Sequence, residues 1–158
     1  IGCGPIGDID PDEAHATFIY NIRHAAEEFG KVGVIALVEP INTRDQPGFF
    51  VNTSKGGLEA IAEANHPNLA LLYDFYHMQI MEGDVIATIR KFHPYFAHYH
   101  TGGVPGRHEI DNTQELYYPA IMEAIVETGY DGYVAQEFIP AGPDPLKSLK
   151  EGVHICDV

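Results

Sequence analysis

Four side chains suited to metal chemistry follow four apolar runs of the sequence, one after each run. They are Glu39, Asp74, His100 and Glu137. Their spacings (74−39=35, 100−74=26 and 137−100=37) are each the length of one strand and one helix. Because the carboxyl ends of parallel strands meet at one edge of a sheet, we expect the four side chains to lie together.

Three carboxylates around one imidazole would repel one another, and burying them without a partner is strongly unfavourable. A divalent cation removes this problem, and two or three carboxylate oxygens with one imidazole suit Mn, Mg, Co or Zn. The pattern therefore predicts one divalent metal site. Each carboxylate taken alone is equally well explained as a helix cap or an ion-pair partner.

The third of these runs leads into the stretch 96–109, which reads FAHYHTGGVPGRHE. In a strand, residues two apart share a face, so His98 and His100 point the same way. His98 lies deeper in the strand, and we interpret it as a core or supporting residue rather than a ligand. We expect Arg107 and His77 to contact a molecule on the metal. The alternatives are a hydrogen-bonded loop histidine for His77, and pairing of Arg107 with Glu109 or Asp111.

The elements that would position these residues alternate along the chain. Asp10-Pro11-Asp12-Glu13 is typical of a helix start, and Asn52-Thr53-Ser54 is suited to cap a second helix. Apolar patterning predicts further helices over 84–92 and 118–128 and one starting at Asp144. It predicts strands at 34–38, at 69–73, from Phe96 and at 133–136. Helices that alternate with buried strands indicate an α/β fold with a parallel sheet.

Composition limits the function further. A chain of 158 residues with 45% hydrophobic residues suits one folded domain. A net charge of −14 disfavours nucleic acid as a partner. The sequence has no apolar run long enough for a membrane span and no visible signal peptide, so we expect a cytoplasmic protein. A targeting segment on a longer parent chain stays open. The sequence contains neither a dinucleotide-binding glycine motif nor a serine nucleophile elbow.

Several segments together resemble the hydroxypyruvate isomerase family, one of the xylose isomerase-like TIM barrels, which also include the ketose 3-epimerases. The matching segments are Val38–Arg44, Pro47–Phe50, Tyr73–Gln79, Met81–Gly83, Pro105–Glu109, Tyr118–Pro119 and Gly129–Tyr133. The resemblance covers nearly the whole chain. It implies that residues 1–158 form a single partial domain, the C-terminal part of a (β/α)8 TIM barrel. That part comprises the last four βα units and the preceding helix.

The resemblance also implies roles for individual residues. By this resemblance, the metal ligands are Glu39, Asp74, His100 and Glu137. Glu39 and Glu137 also act as catalytic acid and base. The residues that contact the substrate are His77 and Arg107. The implied reaction is the isomerisation of hydroxypyruvate to tartronate semialdehyde through an enediolate, with a small hydroxy-keto acid as the partner molecule.

One departure leaves the substrate open. The hydroxypyruvate isomerases have His-x-Gln at the position of residues 98–100. This chain has His98-Tyr99-His100, the His-x-His pattern of the epimerases. A ketose 3-epimerase, or another sugar isomerase or epimerase, is therefore the first alternative, and a non-catalytic sugar-binding partial barrel is the second. The negative charge and the lack of further histidines for a trinuclear zinc site disfavour a nuclease.

The expected sheet is also incomplete. A TIM barrel has eight strands, whereas this sequence supplies four and, at Ile1-Gly2-Cys3, the end of another. Its inner face would carry Leu37, Leu72, His98 and Ala135, and apolar surface left in water forgoes about 25 cal/mol per Å². We therefore expect either that the natural chain is longer or that two copies pair their sheets as a homo-oligomer.

Overall fold

A computed structural model describes residues 4–158, which form one parallel sheet with helices. The elements in chain order are α1 (Pro11–Gly30), β1 (Ala36–Val38), α2 (Ser54–Ala64), β2 (Leu69–Asp74), α3 (Phe75–Met81), α4 (Val85–Phe92), a 3-10 turn (His93–Tyr95), β3 (Phe96–Thr101), α5 (Tyr118–Glu127), β4 (Val134–Gln136) and α6 (Pro145–Ile155). The sheet order is β1-β2-β3-β4, and every pairing is parallel. The predicted α/β fold is confirmed. The strand end expected at Ile1–Cys3 lies outside the described residues.

The helix starts follow the capping residues of the sequence. The Oδ1 of Asp10 accepts hydrogen bonds from the backbone N–H groups of Asp12 and Glu13, at 3.0 and 3.2 Å. Thr53 Oγ1 accepts from Gly56 N at 3.1 Å, and Asp144 Oδ1 accepts from Lys147 N at 3.1 Å. Each cap satisfies amide groups that the first turn of a helix leaves unpaired, which is why these residue types mark the boundaries.

Two elements differ from the sequence prediction. The run beginning at Val34 was expected to be a buried strand, yet Val34 and Ile35 are about half exposed and β1 begins only at Ala36. No helix was predicted for the segment after Asp74, which forms α3, capped by Asp74 Oδ1, which accepts from His77 N at 3.1 Å. The loop position in the alternative interpretation of His77 is therefore wrong, because His77 lies in the first turn of a buried helix.

The core lies between the sheet and its helices. Tyr73 and Tyr99 point from β2 and β3 to this side, where the rings of Phe75 and Tyr99 stack at 5.7 Å between centroids. Aromatic pairs of this kind bury large areas and restrict ring orientation. This packing fixes β2, β3 and α3 relative to one another, and these three elements carry most of the candidate site.

The opposite face of the sheet carries the four residues expected there. Leu37, Leu72, His98 and Ala135 are each only partly buried within residues 4–158. The strand register staggers them, since Leu72 pairs with His98 while Ala135 pairs with His100. These four residues therefore do not lie at one level of the sheet. Their line across the sheet runs obliquely to the strands, as the tilted strands of a barrel require.

It stays a prediction that this face packs against further strands of a longer natural chain or against the sheet of a second copy. Light scattering and a thermal melt of the 158-residue chain check it. We expect self-association or a broad, weakly cooperative melt. A monomer with a sharp cooperative transition would contradict the expectation.

Within residues 4–158, no helix combines the length and the apolar character needed to cross a membrane.

Candidate metal centre and substrate contacts

The carboxyl ends of the four strands bring the four predicted ligand residues to one place. They are Glu39, Asp74, His100 and Glu137, and one ligand atom from each lies within 4.8 Å of those of the other three. One ion with bonds of about 2.0–2.6 Å is able to reach atoms this close. The structure therefore contains a group that could hold a metal ion, built from residues that lie far apart in the sequence.

Asp74 is the most deeply buried member of this group, and its two oxygens have separate tasks. Oδ1 caps α3, while Oδ2 faces the group at 3.8 Å from His100 Nδ1. Glu137 lies just past β4, where its backbone N–H donates to Thr101 O at 3.0 Å and extends the pairing with β3. Backbone pairing and a helix cap thus hold these two carboxylates in place.

The Nδ1 atom of His100 is surrounded by carboxylates. Glu137 Oε2 is 2.7 Å away, and Glu39 Oε1 and Asp74 Oδ2 are each 3.8 Å away. Although the first distance is short, the ring N–H is not aligned on that oxygen, so this buried nitrogen has no well-formed hydrogen bond. A buried imidazole nitrogen that lies within 3.8 Å of three carboxylates and lacks a well-formed hydrogen bond is placed as a metal ligand would be. The donor set therefore fits a divalent cation.

The electrostatics of the group show the cost of crowding these charges. Burial raises the pKa of Asp74, and the charge of Glu39 adds to the effect. Burial and the charge of Glu137 likewise raise the pKa of Glu39. The contact with His100 instead lowers the pKa of Glu137. Burial pulls the pKa of His100 down, but the contact with Glu137 and the carboxylate charges outweigh this and raise it. The group as a whole favours an added positive charge.

Arg107 supplies part of that charge. Its Nη2 lies 2.6 Å from Glu137 Oε2 and 3.2 Å from Asp74 Oδ2, so it pairs with two of the candidate ligands. The alternative pairing with Glu109 or Asp111 is not what the structure shows. The Glu109 carboxylate instead accepts hydrogen bonds from three groups beyond β4: Ala141 N, Gly142 N and Ser148 Oγ.

The loop that carries Arg107 is shaped by its backbone. Arg107 N donates to Gly103 O at 2.8 Å, Gly103 N donates to His108 O at 2.9 Å, and Arg107 itself has a φ of 59°. Ile139 N donates to Arg107 O at 2.6 Å, which ties the loop to the segment after β4. The Arg107 guanidinium then lies over the ring of Tyr76, 5.2 Å from its centroid.

Replacing Gly103 by alanine should disrupt this loop. A Cβ there would collide with the backbone carbonyl oxygens of Glu109 and His108, neither of which moves easily. We expect the variant to lose about 1–3 kcal/mol of unfolding free energy, as overpacked sites do. Urea denaturation measures the loss. Gly4→Ala is the control, because a Cβ at Gly4 meets nothing within 4 Å. Equal stability of the two variants would contradict the prediction.

His77 lies beside the group without belonging to it. It is 3% exposed, and its Nε2 is 3.9 Å from Asp74 Oδ2. Burial, and then the nearby Arg107 charge, lower the pKa of His77 to about 4, so the ring is neutral near pH 7. A neutral imidazole next to the candidate ligands is suited to hydrogen bonding with a bound molecule.

His98 is not a member of the ligand group. Its ring packs edge-on against His100 with 4.9 Å between centroids, and burial lowers its pKa. This position agrees with a supporting residue behind His100.

Sequence reasoning assigned no role to Asn42 or Asp45, which lie just after β1. Asn42 is fully buried and its amide Nδ2 is 2.7 Å from His77 Nδ1. Asp45 Oδ2 accepts a hydrogen bond from the hydroxyl of Tyr76 at 2.6 Å. In the sequence, both residues follow Glu39 within a short polar stretch at the end of the sheet where the site forms, and Asn42 also lies within the Val38–Arg44 segment of the resemblance.

A parallel sheet with helices on one face, and polar side chains at the carboxyl ends of its strands, defines the class of barrel proteins whose sites lie at that end. The family model of the xylose isomerase-like TIM barrel matches residues 4–156, and the chain belongs to that family.

Particular relatives carry isomerase names. The chain is 40% identical over 133 residues to the 2-oxo-tetronate isomerase of Cupriavidus necator, covering 84% of this chain and 51% of the relative. It is 34% identical over 140 residues to the hydroxypyruvate isomerase of Escherichia coli, covering 89% of this chain and 54% of that one.

A solved structure described as an AP endonuclease, family 2, from Brucella melitensis superposes with a TM-score of 0.83. It is 38% identical, and the match covers 86% of this chain and 52% of that one. The chain thus spans about half the length of each of these relatives.

Proposed function

We propose that the protein is a metal-assisted isomerase of a small α-hydroxycarbonyl acid, with hydroxypyruvate and tartronate semialdehyde as its pair of substrates. The observation that carries this proposal is the convergence of Glu39, Asp74, His100 and Glu137 beside the Arg107 guanidinium. The isomerase names of the two curated relatives support the same reaction class.

The four converging residues would hold the cation, which we propose to be Mn, Mg, Co or Zn. When bound, such an ion polarises a carbonyl group and stabilises negative charge that develops on its oxygen. The balance of oxygen over nitrogen ligands favours this catalytic use over a structural zinc site.

The chain's own residues would move the proton. Glu137 is the most exposed of the four and therefore the most accessible to a substrate, so it is the proposed base that takes the proton from C3 of hydroxypyruvate. In the resulting enediolate the hydroxyl proton on the C3 oxygen would pass to the C2 oxygen. Glu137 or Glu39 would then return the carbon-bound proton to C2, and the product is tartronate semialdehyde. Arg107 would hold the substrate carboxylate, for which a planar guanidinium is well matched. His77 would donate to a substrate oxygen.

A second candidate is a ketose 3-epimerase. The observation that favours it is the histidine at position 100, whose Nδ1 lies 3.8 Å from Glu39 Oε1 and 2.7 Å from Glu137 Oε2. Two carboxylates at one centre also suit removal of a proton from one carbon and its return to the same carbon. Product analysis after incubation of the natural gene product with Mn²⁺ and either hydroxypyruvate or a ketose decides between them. Turnover of neither compound contradicts both.

Metal binding is tested apart from turnover by replacing Asp74 with asparagine. Removing a single supporting contact at a metal site already costs about 10–100-fold in affinity, so we expect loss of a ligand charge to cost at least that much. Isothermal titration of the chain with Mn²⁺ measures the change.

Asp111→Asn is the matched control, because Asp111 is exposed and its carboxylate, within residues 4–158, accepts hydrogen bonds from Thr113 in the same turn. We expect it to leave Mn²⁺ affinity unchanged. Equal affinity in the Asp74 and Asp111 variants would show that the metal lies elsewhere.

A further inference from the structure

The side-chain amide of Asn42 has one possible orientation. Its Oδ1 accepts a hydrogen bond from the backbone N–H of Asp45 at 2.8 Å, which requires an oxygen there. Its Nδ2 donates to Asp45 Oδ2 at 3.1 Å, which requires a nitrogen. Because two partners with opposite requirements hold the two ends, exchanging the amide oxygen and nitrogen would break both bonds.

This orientation determines which nitrogen of His77 carries the proton. Asn42 Nδ2 lies 2.7 Å from His77 Nδ1, and the backbone N–H of Asn42 also points at Nδ1 from 3.4 Å. Two donors face one ring nitrogen, so Nδ1 has to accept. In a neutral imidazole the proton then sits on Nε2. That atom is on the side of the candidate metal centre, 3.9 Å from Asp74 Oδ2.

We propose that Asn42 is a positioning residue that holds His77 in its Nε2–H tautomer. The centre then offers a fixed hydrogen-bond donor next to Asp74, and the substrate atom that meets it is an acceptor, a carbonyl or hydroxyl oxygen. The part that concerns the substrate rests on the proposed function. The assignment of the tautomer does not.

The same short segment supports a second substrate contact. Asp45, which fixes the Asn42 amide, also accepts from the hydroxyl of Tyr76, and the Tyr76 ring lies under the Arg107 guanidinium. Gly102 permits this approach, since a Cβ there would come within 3.1 Å of Tyr76 Cβ and 3.3 Å of Arg107 Cγ. Asn42 and Asp45 together therefore position His77 and Arg107.

Nitrogen-15 NMR of the histidine rings tests the tautomer in the unmodified chain. Long-range proton–nitrogen correlations distinguish a bare ring nitrogen from a protonated one, and His77→Gln identifies the His77 signals by their loss. We expect Nδ1 of His77 to be bare and Nε2 to be protonated. A proton on Nδ1 would overturn the proposal, with no variant of Asn42 required.

Asn42→Asp tests whether Asn42 is the cause. A carboxylate beside Nδ1 accepts where the amide donated, so we expect the NMR signature of Nδ1 to change to a protonated nitrogen. We also expect kcat/KM to fall roughly tenfold as the fixed donor is lost. Asn52→Asp is the control for an added charge in the same segment, because Asn52 donates to Phe49 O and not to His77.

An unchanged His77 signature in Asn42→Asp would overturn the role of Asn42. If the unmodified protein turns over no substrate, the proposed function fails, yet both NMR measurements still report on the tautomer. The two failures are therefore distinguishable.

Discussion

Replacing Glu137 by glutamine is expected to lower kcat for the proposed isomerisation by about 10²–10⁴-fold, the range that general acid–base catalysis contributes. Glutamine keeps an oxygen at the same position, but it does not accept a proton near neutral pH. Binding of Mn²⁺ should remain measurable, because Glu39, Asp74 and His100 still converge on the same point. Turnover of hydroxypyruvate by the natural gene product and titration with Mn²⁺ measure the two effects separately.

Glu127→Gln is the matched control for this variant. Glu127 forms an exposed ion pair with Arg90 at 2.9 Å, outside the candidate centre, and exposed pairs of this kind contribute little. We expect it to leave both kcat and metal binding unchanged. A Glu137→Gln protein whose kcat stays within about threefold of the unmodified protein would remove Glu137 from the role of base.

The positions of the four candidate ligands were predictable because one physical rule places them. In a parallel sheet every strand ends at the same edge, so Glu39, Asp74 and Glu137 meet once their strands are recognised as apolar runs. The helix caps at Asp10, Thr53 and Asp144 were predictable for a similar reason, since a side-chain oxygen at these positions satisfies nearby amides.

Helix α3 was not predictable in the same way. It has seven residues, too few for a clear helical period, and Phe75, Tyr76, His77 and Met78 are all buried. A short segment that is buried on every side shows no amphipathic pattern. Asp74 at its start was interpreted as a ligand with a helix cap as the alternative, and one of its oxygens does cap the helix.

Asn42 was missed because its role depends on tertiary contacts. Its partner His77 lies 35 residues away on a different element, and no local pattern links the two. The prediction that β1 starts at Val34 was wrong for a related reason. The apolar Val34 and Ile35 lie outside the packed layer between sheet and helices and remain exposed. Periodicity reports the composition of a segment, but the fold decides which parts of it are covered.

Replacing Arg107 by glutamine is expected to separate the two candidate reactions. Arg107 is the one proposed substrate contact with a permanent positive charge, and loss of one partner of a buried charge pair costs about 2–5 kcal/mol. For hydroxypyruvate, which carries a carboxylate, kcat/KM should therefore fall by roughly 30-fold or more. For a ketose, which meets Arg107 only through hydroxyl groups, a net hydrogen bond of about 0.5–1.5 kcal/mol predicts a loss of roughly 2- to 13-fold.

Replacing Arg107 could also change metal binding, because the guanidinium contacts the candidate ligands Asp74 and Glu137. Titration with Mn²⁺ checks that the variant still binds the ion. Arg107→Lys keeps the charge but loses the planar pair of donors, so its kcat/KM for the carboxylate substrate should lie between those of the other two proteins. Arg90→Gln, which breaks an exposed ion pair with Glu127, should leave kcat/KM unchanged for both substrates. An equal loss for hydroxypyruvate and for the ketose would contradict carboxylate recognition by Arg107, and with it the preference for a hydroxy-keto acid.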